Sequence, residues 1–356
     1  MTEPVPPSST SNPLLRGATS ALLSAIAFGL TTPLIQRFSK GVGVLPAAAL
    51  LYAGAALASL DVTRKARASE AQVRSSHLLR LVCVALVGAL AAPVCLIWGL
   101  QRTDAVSASL LLNFEAVFTV FLAWAMHAEP IGPRVSLALA AMFVGGALLA
   151  SAGAPGMPGF GVGALAIVLA TFAWALDNTL SRPLSELSPT QVVMWKGGLG
   201  ALFSVGLAFA FGQQFPKPWP LLGLLVCGAT GYGLSLQLYL RAQRQIGAAR
   251  TGSIFAVAPF VGAAAAWASG GAATGAWSAA AAACFALAVY LHLTEDHGHS
   301  HTHEPVTHEH THRHDDGHHD HEHQPPVRGE HSHSHSHDER THEHPHAPDV
   351  HHRHEH

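Results

Sequence analysis

Two stretches, TDAVSASLLLNFEAVFTVFLAWA (103–125) and IGAARTGSIFAVAPFVGAAAAWA (246–268), decide how this chain folds. Laid on one another at a constant offset of 143 residues, they set Trp124 on Trp267 and bring Phe118 beside Phe260 and Val261. Each is apolar over about the 20 residues that a helix needs to cross the hydrocarbon of a bilayer. A second pair, AFGLTTPLIQRFS (27–39) and AWALDNTLSRPLS (173–185), matches at an offset of 146. The near-equal offsets predict a chain built twice from one unit.

Working outward from these stretches, the sequence holds ten candidate spans, at roughly 17–36, 42–60, 79–100, 104–127, 132–151, 161–181, 191–211, 219–240, 247–269 and 274–293. They are expected to be helices, because lipid offers backbone N–H and C=O groups no partners outside the segment itself. The composition agrees. The chain is 49% hydrophobic with only 12% Asp, Glu, Lys and Arg, against about 25% charged residues in an average soluble domain. Five spans per copy would invert the second copy relative to the first, an arrangement used by transporters with a site between the halves. The expected fold is therefore all-α: a polytopic membrane protein of ten transmembrane helices in two inverted five-helix repeats, plus a disordered tail. Its parts are an N-terminal disordered segment (1–16), a first repeat (17–152), a second repeat (160–293) and the tail (294–356).

Orientation follows from Lys and Arg in short loops. With the N-terminus inside, the inner segments hold eleven such residues, among them Arg64, Lys65, Arg67, Arg74 and Arg80, and the outer segments hold four: Arg37, Lys40, Arg102 and Lys217. Both termini are then cytoplasmic and the protein sits in the inner (plasma) membrane. The Pro/Ser-rich start, MTEPVPPSSTSNP, has no basic n-region, so a cleaved signal peptide is not expected. Cys83, Cys95, Cys227 and Cys284 lie inside apolar runs and read as small buried hydrophobes. No basic stripe with interleaved aromatics points to nucleic acid, and no phosphate-cradling Gly-Lys loop points to ATP-driven transport. An enzyme is not expected.

The segment LQRTDAVSASLLLNFEAVFTVFLAWAMHAEPIGPRVSLALAAMFVGGALLA (100–150) resembles the EamA domain of the drug/metabolite transporter superfamily, and WALDNTLSR (174–182) resembles a variant at the start of that family's second repeat. The resemblance covers roughly residues 20–292. It implies ten helices in two inverted repeats and the carriage of metabolites, amino acids or nucleotide sugars. Two positions depart from the family pattern. Ala116 stands where the family usually has Pro after the span-4 Glu, and Ala272 stands opposite Glu129, where an acid usually ends span 9.

A charge at the centre of a helix in lipid costs about 2.5–3.5 kcal/mol on insertion scales, so each one retained calls for a reason. Glu115 lies near the midplane of span 4, Asp177 near the cytoplasmic end of span 6, and Lys196 at a similar depth in span 7. Asp177 and Lys196 are expected to pair, either as a clamp between spans 6 and 7 or, with Asn178, as part of the substrate path. Glu115 has no charged partner at its counted depth. Desolvation then favours its protonated form, which suits proton coupling or a neutral carboxyl hydrogen-bonded to backbone or to Asn113. Pro33, Pro93 and Pro259 fall within spans and either kink them or merely pack.

The tail belongs to a different solvent. Of the 26 histidines, 23 lie at or beyond His297, in runs such as EHSHSHSHDE (330–339). With almost no apolar side chains, residues 295–356 cannot bury a core and are expected to lack regular structure. Neutral imidazole is the commonest metal ligand, so His331, His333, His335, His337, His342, His344 and His346 are expected to chelate a divalent metal loosely, with Zn, Ni, Co or Cu all admissible. No cofactor is required for transport itself. The expected function is secondary transport of a small organic metabolite by alternating access, proton-coupled through Glu115. The partners are a small-molecule substrate, the lipid bilayer and divalent metal ions, and a homodimer is one assembly open to such a chain. Two rivals remain open: a Ni, Co or Zn transporter, and a membrane-anchored metal buffer or sensor that transports nothing.

Overall fold

A computed structural model describes residues 13–65, 72–127, 132–151, 161–184, 187–246, 248–270, 275–293, 298–303, 306–312, 331–337 and 340–345. The first repeat comprises α1 (Pro13–Ser39), α2 (Val44–Lys65), α3 (Leu78–Val84), α4 (Ala92–Leu100), α5 (Ala105–Leu111), α6 (Phe114–His127) and α7 (Pro133–Ser151). The second comprises α8 (Val162–Ser181), α9 (Pro189–Ala210), α10 (Pro218–Cys227), α11 (Ser235–Ile246), α12 (Ala248–Phe255), α13 (Ala258–Ala268) and α14 (Ala276–Leu293). Several helices open on proline, as at Pro133, Pro189 and Pro218, where the missing N–H costs no hydrogen bond and φ is already helical.

These helices join into ten apolar spans. Among the described residues, seven are long and apolar enough to cross a membrane, and three (Val44–Leu60, Pro133–Leu149 and Ala276–Leu291) are apolar but shorter. The seven include four composite spans in which the helix changes character midway. In span 3, α3 and α4 are joined by a π-helical turn, Ala85–Ala91; in span 8, α10 and α11 are joined by another, Gly228–Leu234. The two turns are equally long and lie 143 residues apart, the same offset that aligns the sequence. Span 4 breaks between α5 and α6 at Leu112 and Asn113, and span 9 breaks between α12 and α13 at Ala256 and Val257. Both breaks are closed by i→i−3 bonds: Asn113 N–H to Leu110 O at 3.1 Å and Ala116 N–H to Asn113 O at 3.1 Å, then Val257 N–H to Ile254 O at 3.3 Å and Phe260 N–H to Val257 O at 3.0 Å.

Two of the prolines noted in the sequence mark these resets. Pro93 follows the π turn at the start of α4, and Pro259 stands in the first turn of α13, so neither interrupts a regular helix. Pro33 lies inside α1. Span 4 breaks without a proline: Ala116 stands at the family's Pro position, and the i→i−3 bonds turn the chain together with the Asn113 side chain.

The repeats interleave rather than sit side by side. Span 1 packs on spans 8 and 9, and correspondingly span 6 packs on spans 3 and 4. Span 2 faces span 7, and span 5 faces span 10. These symmetric long-range contacts mark an internal repeat. Buried Ser24 and Ser235 exchange hydrogen bonds across spans 1 and 8: Ser24 Oγ donates to Ser235 O at 2.7 Å, and Ser235 Oγ donates to Ser24 O at 2.9 Å. Two glycines at equivalent positions of the repeats allow close approach. A Cβ on Gly231, in the span-8 turn, would strike Thr31 of α1; a Cβ on Gly88, in the span-3 turn, would strike the carboxylate of Asp177 on α8. Thr31 and Asp177 are themselves 146 residues apart, so one contact occurs twice with different side chains.

The tail differs from expectation. Beyond the membrane body lie β1 (Gly298–His303), β2 (Val306–His312), β3 (His331–His337) and β4 (Arg340–Pro345). β1 pairs antiparallel with β4, and β2 with β3. Low hydrophobicity had pointed to no regular structure here. Yet histidine at every second position, with Ser and Thr between, has the strand period of two, and pairing satisfies the backbone without a core. The helical class therefore belongs to the membrane body, and these stretches of the tail are strand. The segment 1–12, Glu129, Ala272 and His346 lie outside the described residues.

Adding a methyl group at a tight helix crossing costs about 1–3 kcal/mol. Gly231→Ala should therefore lower the thermal unfolding midpoint of the detergent-purified protein. Gly198→Ala, which meets nothing within 4 Å, should leave it unchanged.

Candidate functional site

The candidate site lies where the composite spans meet. Asp177 is buried on α8 and forms an ion pair with Lys196 of α9, itself buried. Ser181, one turn along α8, reaches Asp177 Oδ1 at 3.4 Å. The expected pairing of spans 6 and 7 is thus present. Burial without a partner would leave either charge costly, and the pair removes much of that cost while fixing the two helices' rotation.

The π turn of span 3 lies against this pair. Its Gly88 carbonyl accepts two side-chain hydrogen bonds, from Tyr52 Oη at 2.6 Å and from Trp174 Nε1 at 3.2 Å. Three spans are therefore tied at one peptide group: span 2 through Tyr52, span 3 through Gly88 and span 6 through Trp174. Non-helical backbone at membrane depth is tolerated where protein groups satisfy it, and these donors do so.

Glu115 lies in the first turn of α6, directly after the break in span 4. A carboxylate is favoured there by the positive end of the helix dipole. Its hydrogen-bond partner is Asn178, whose Nδ2 donates to Glu115 Oε1 at 2.8 Å across spans 4 and 6. Asn113 does not take that role. Its Nδ2 turns back to Leu110 O at 2.8 Å and helps close the break. Asp177 and Lys196 both lie within electrostatic reach of Glu115. Depth counted along the sequence had separated Glu115 from the Asp177–Lys196 pair; in the fold, Glu115, Asp177, Asn178 and Lys196 form one cluster.

Around this cluster runs a chain of aromatic rings that the sequence reading missed. Phe28 of α1 meets Trp174 of α8 with ring centroids 5.8 Å apart, and these residues occupy equivalent positions of the two repeats. Tyr232, in the span-8 π turn, packs against Tyr52 at 5.3 Å, Phe28 at 5.8 Å and Trp174 at 6.2 Å. Phe255, at the end of α12, packs against Phe28 at 5.6 Å and Tyr239 at 5.1 Å. One signal could have found them. The chain has four tyrosines, and three of them, Tyr52, Tyr232 and Tyr239, belong to this group.

Among the described residues, no three His, Cys, Asp or Glu side chains converge as a metal centre. His331, His333, His335 and His337 lie on β3, and His342 and His344 on β4.

The comparisons with known proteins accord with this architecture. A curated relative from Methanothermobacter thermautotrophicus (strain Delta H), described as an uncharacterized transporter, is 27% identical over 209 residues. That similarity spans 57% of this chain and 61% of the relative, so the chain covers less than two thirds of the relative's length. A solved protein crystal structure superposes with a TM-score of 0.55 at 17% identity, covering 78% of this chain and 96% of that one, and shares its fold. The family model described as EamA-like transporter family matches residues 15–151 and again residues 161–294, one match for each repeat of broken and π-turned spans described above. The chain belongs to the EamA-like transporter family.

Proposed function

We propose that this chain is an inner-membrane secondary transporter of a small organic metabolite, working by alternating access between two inverted five-helix repeats, with both termini in the cytoplasm. The observation that carries the proposal is the pairing of interruptions. The π turns of spans 3 and 8 and the breaks of spans 4 and 9 recur at matching positions of both repeats. Transporters place substrate sites at such discontinuous helices, between repeats, where freed backbone groups and half-helix ends can meet a solute. The excess of Lys and Arg in the segments assigned to the inside supports the orientation. Rocking of one repeat on the other would expose the Glu115–Asn178 bridge, which joins span 4 of the first repeat to span 6 of the second, to either side in turn.

Glu115 is the group proposed to carry the coupling proton. It is bridged by a neutral amide rather than by a cation, so it can exchange a proton without breaking an ion pair. Asp177, paired with Lys196, serves position rather than coupling. In proteoliposomes, Glu115→Gln should abolish accumulation driven by an imposed pH gradient while leaving solute exchange at equal concentrations in place. Unchanged pH-driven accumulation would remove the coupling role.

The tail supports a second property, binding of a divalent transition metal by histidines outside the transport path. The strand register sets His308 opposite His335, His310 opposite His333 and His312 opposite His331. In the other ladder, His299 is opposite His344 and His301 opposite His342. Alternate residues of a strand share a face, so each ladder gathers histidines from both strands. On this reading metal is bound by the tail and is not the cargo. Truncation after Thr294 should abolish Zn²⁺ binding to the purified protein and leave metabolite flux intact. Loss of flux on truncation would favour the metal-transport or metal-buffer alternatives.

A further inference from the structure

The two repeats hold different conformations at one place. On the outer side, α5 is buried at Ala105, Val106, Ala108, Ser109, Leu110 and Leu111, and it packs on α13 and α1. Its equivalent in the second repeat is α12, whose partners by symmetry are α6 and α8. Among the described residues, no comparable packing joins α12 to either, and only Thr251 of residues 250–255 is buried.

The difference shows at single residues. Ser109 of α5 lies in a seam with Gly262 of α13 and Gly29 of α1. A Cβ on Gly262 would meet Ser109 Oγ and the Gly29 carbonyl oxygen, each at 3.0 Å. The equivalent three residues, at the offsets of 143 and 146, are Gly252 of α12, Thr119 of α6 and Ala175 of α8. There a Cβ on Gly252 would meet only the Tyr239 hydroxyl, at 3.8 Å, and Thr119 is exposed. One seam is shut and its counterpart is open, although small residues line both. Thr119 lies one turn beyond Glu115, to whose carbonyl its Oγ1 donates at 2.8 Å, and Asn178 is exposed as well. The Glu115–Asn178 bridge is therefore open towards the inner side and covered by α5 on the outer.

Two glutamines tie the outer end. Gln36, in the last turn of α1, donates Nε2 to Leu100 O at 2.8 Å and to Thr103 O at 2.6 Å, and Thr103 stands two residues before α5 begins. The root of α5 is thereby fastened to span 1. Gln101 donates Nε2 to Ser39 O at 2.8 Å and to Val42 O at 3.0 Å, between spans 1 and 2. This second tie recurs at the inner end, where Arg244, equivalent to Gln101, donates to Leu187 O between spans 6 and 7. The inner tie stands beside an open seam, so a tie of that kind does not shut one. The Gln36 bonds differ, because they hold the root of the packed half-helix.

We propose that Gln36 is an outer latch and that the structure is the inward-open state it secures. The outward-open state arises when Gln36 releases Leu100 and Thr103, α5 leaves Gly262 and Gly29, and α12 closes on Thr119 and Ala175. Gln36 is a positioning residue, acting on α5 rather than on the solute, and Gln101 is a strut kept in both states. The inference rests on the transport reading for which side is outer, while the coupling of the two seams can be read without any solute.

The test uses the full-length protein in right-side-out and inside-out membrane vesicles, on a background lacking the four native cysteines, with an impermeant maleimide as the probe. With Gln36 in place, Thr119→Cys should label from the inner face and Ser109→Cys from neither. In Gln36→Leu, Ser109→Cys should label from the outer face about tenfold faster or more, and Thr119→Cys should slow by a similar factor. Gln101→Leu should lower the thermal unfolding midpoint without shifting either rate. Unchanged Ser109→Cys labelling in a folded Gln36→Leu protein would overturn the latch, and so would a rise at both positions, which marks general loosening. If Gln36→Leu does not fold, the seams are read with Gln36 intact. Ser109→Cys and Gly262→Cys, whose Cβ atoms would lie 3.3 Å apart, are close to the span of a disulfide, roughly 3.5–4.5 Å. Oxidation should cross-link them and leave Thr119→Cys reactive from the inner face. No cross-link, or a cross-link that protects Thr119→Cys, would overturn the proposal. Opposite changes at the two positions with the faces exchanged would support the latch and refute the orientation. The expected sidedness with no effect of Gln36 would sink the latch and leave the transport reading standing.

Discussion

The structure depends on one constraint: a backbone amide inside a bilayer must find its partner within the protein. Ten unbroken helices would meet it trivially. This chain instead departs from regular helix at four places in the described spans, the π turns Ala85–Ala91 and Gly228–Leu234 and the breaks after Leu111 and Phe255. Each departure has to be covered by protein. The Gly88 carbonyl receives Tyr52 and Trp174, and the span-4 break is closed by i→i−3 bonds and by the Asn113 side chain. Such backbone is costly to keep at membrane depth, so its recurrence at offsets of 143 and 144 residues indicates that both copies need it for the same purpose.

The two copies share a backbone and differ in chemistry. Gly231 admits Thr31, whereas Gly88 admits Asp177, so one glycine contact carries a hydroxyl in one half and a carboxylate in the other. Glu115 stands in the first turn of α6, while at the matching offset α13 has Ala258. The unduplicated charges, Glu115 of the first repeat and Asp177 and Lys196 of the second, gather into a single polar cluster where the repeats meet. Phe28 and Trp174, equivalent by position, touch each other where the halves meet.

Much of this was legible in the sequence because the bilayer makes hydrophobicity and length nearly sufficient for locating spans. Trp124 against Trp267 gave the repeat, and lone charges in apolar runs gave Glu115, Asp177 and Lys196. The pairing of Asp177 with Lys196 followed from equal depth on consecutive helices. What failed was depth across broken helices. Counting about 1.5 Å per residue along span 4 treated it as one rod, and so hid that Glu115 opens a half-helix and reaches Asn178. The aromatic wall was hidden for a different reason. Phe28, Tyr52, Tyr232, Tyr239 and Phe255 sit on four spans, and an apolar helix has no polar face from which to read its rotation. In the tail, composition argued against order, while the alternation of histidine with Ser and Thr carried the strand signal.

The claim on which the rest stands is that the second repeat is inverted with respect to the first. It is tested most directly by impermeant maleimide labelling of single cysteines, in intact cells and after permeabilisation, on a background lacking the four native cysteines. Arg102→Cys, between spans 3 and 4, and Arg250→Cys, in the first turn of span 9, lie at corresponding ends of the two repeats. The account predicts labelling of Arg102→Cys in intact cells and of Arg250→Cys only after permeabilisation. Labelling of both from the same side would contradict it.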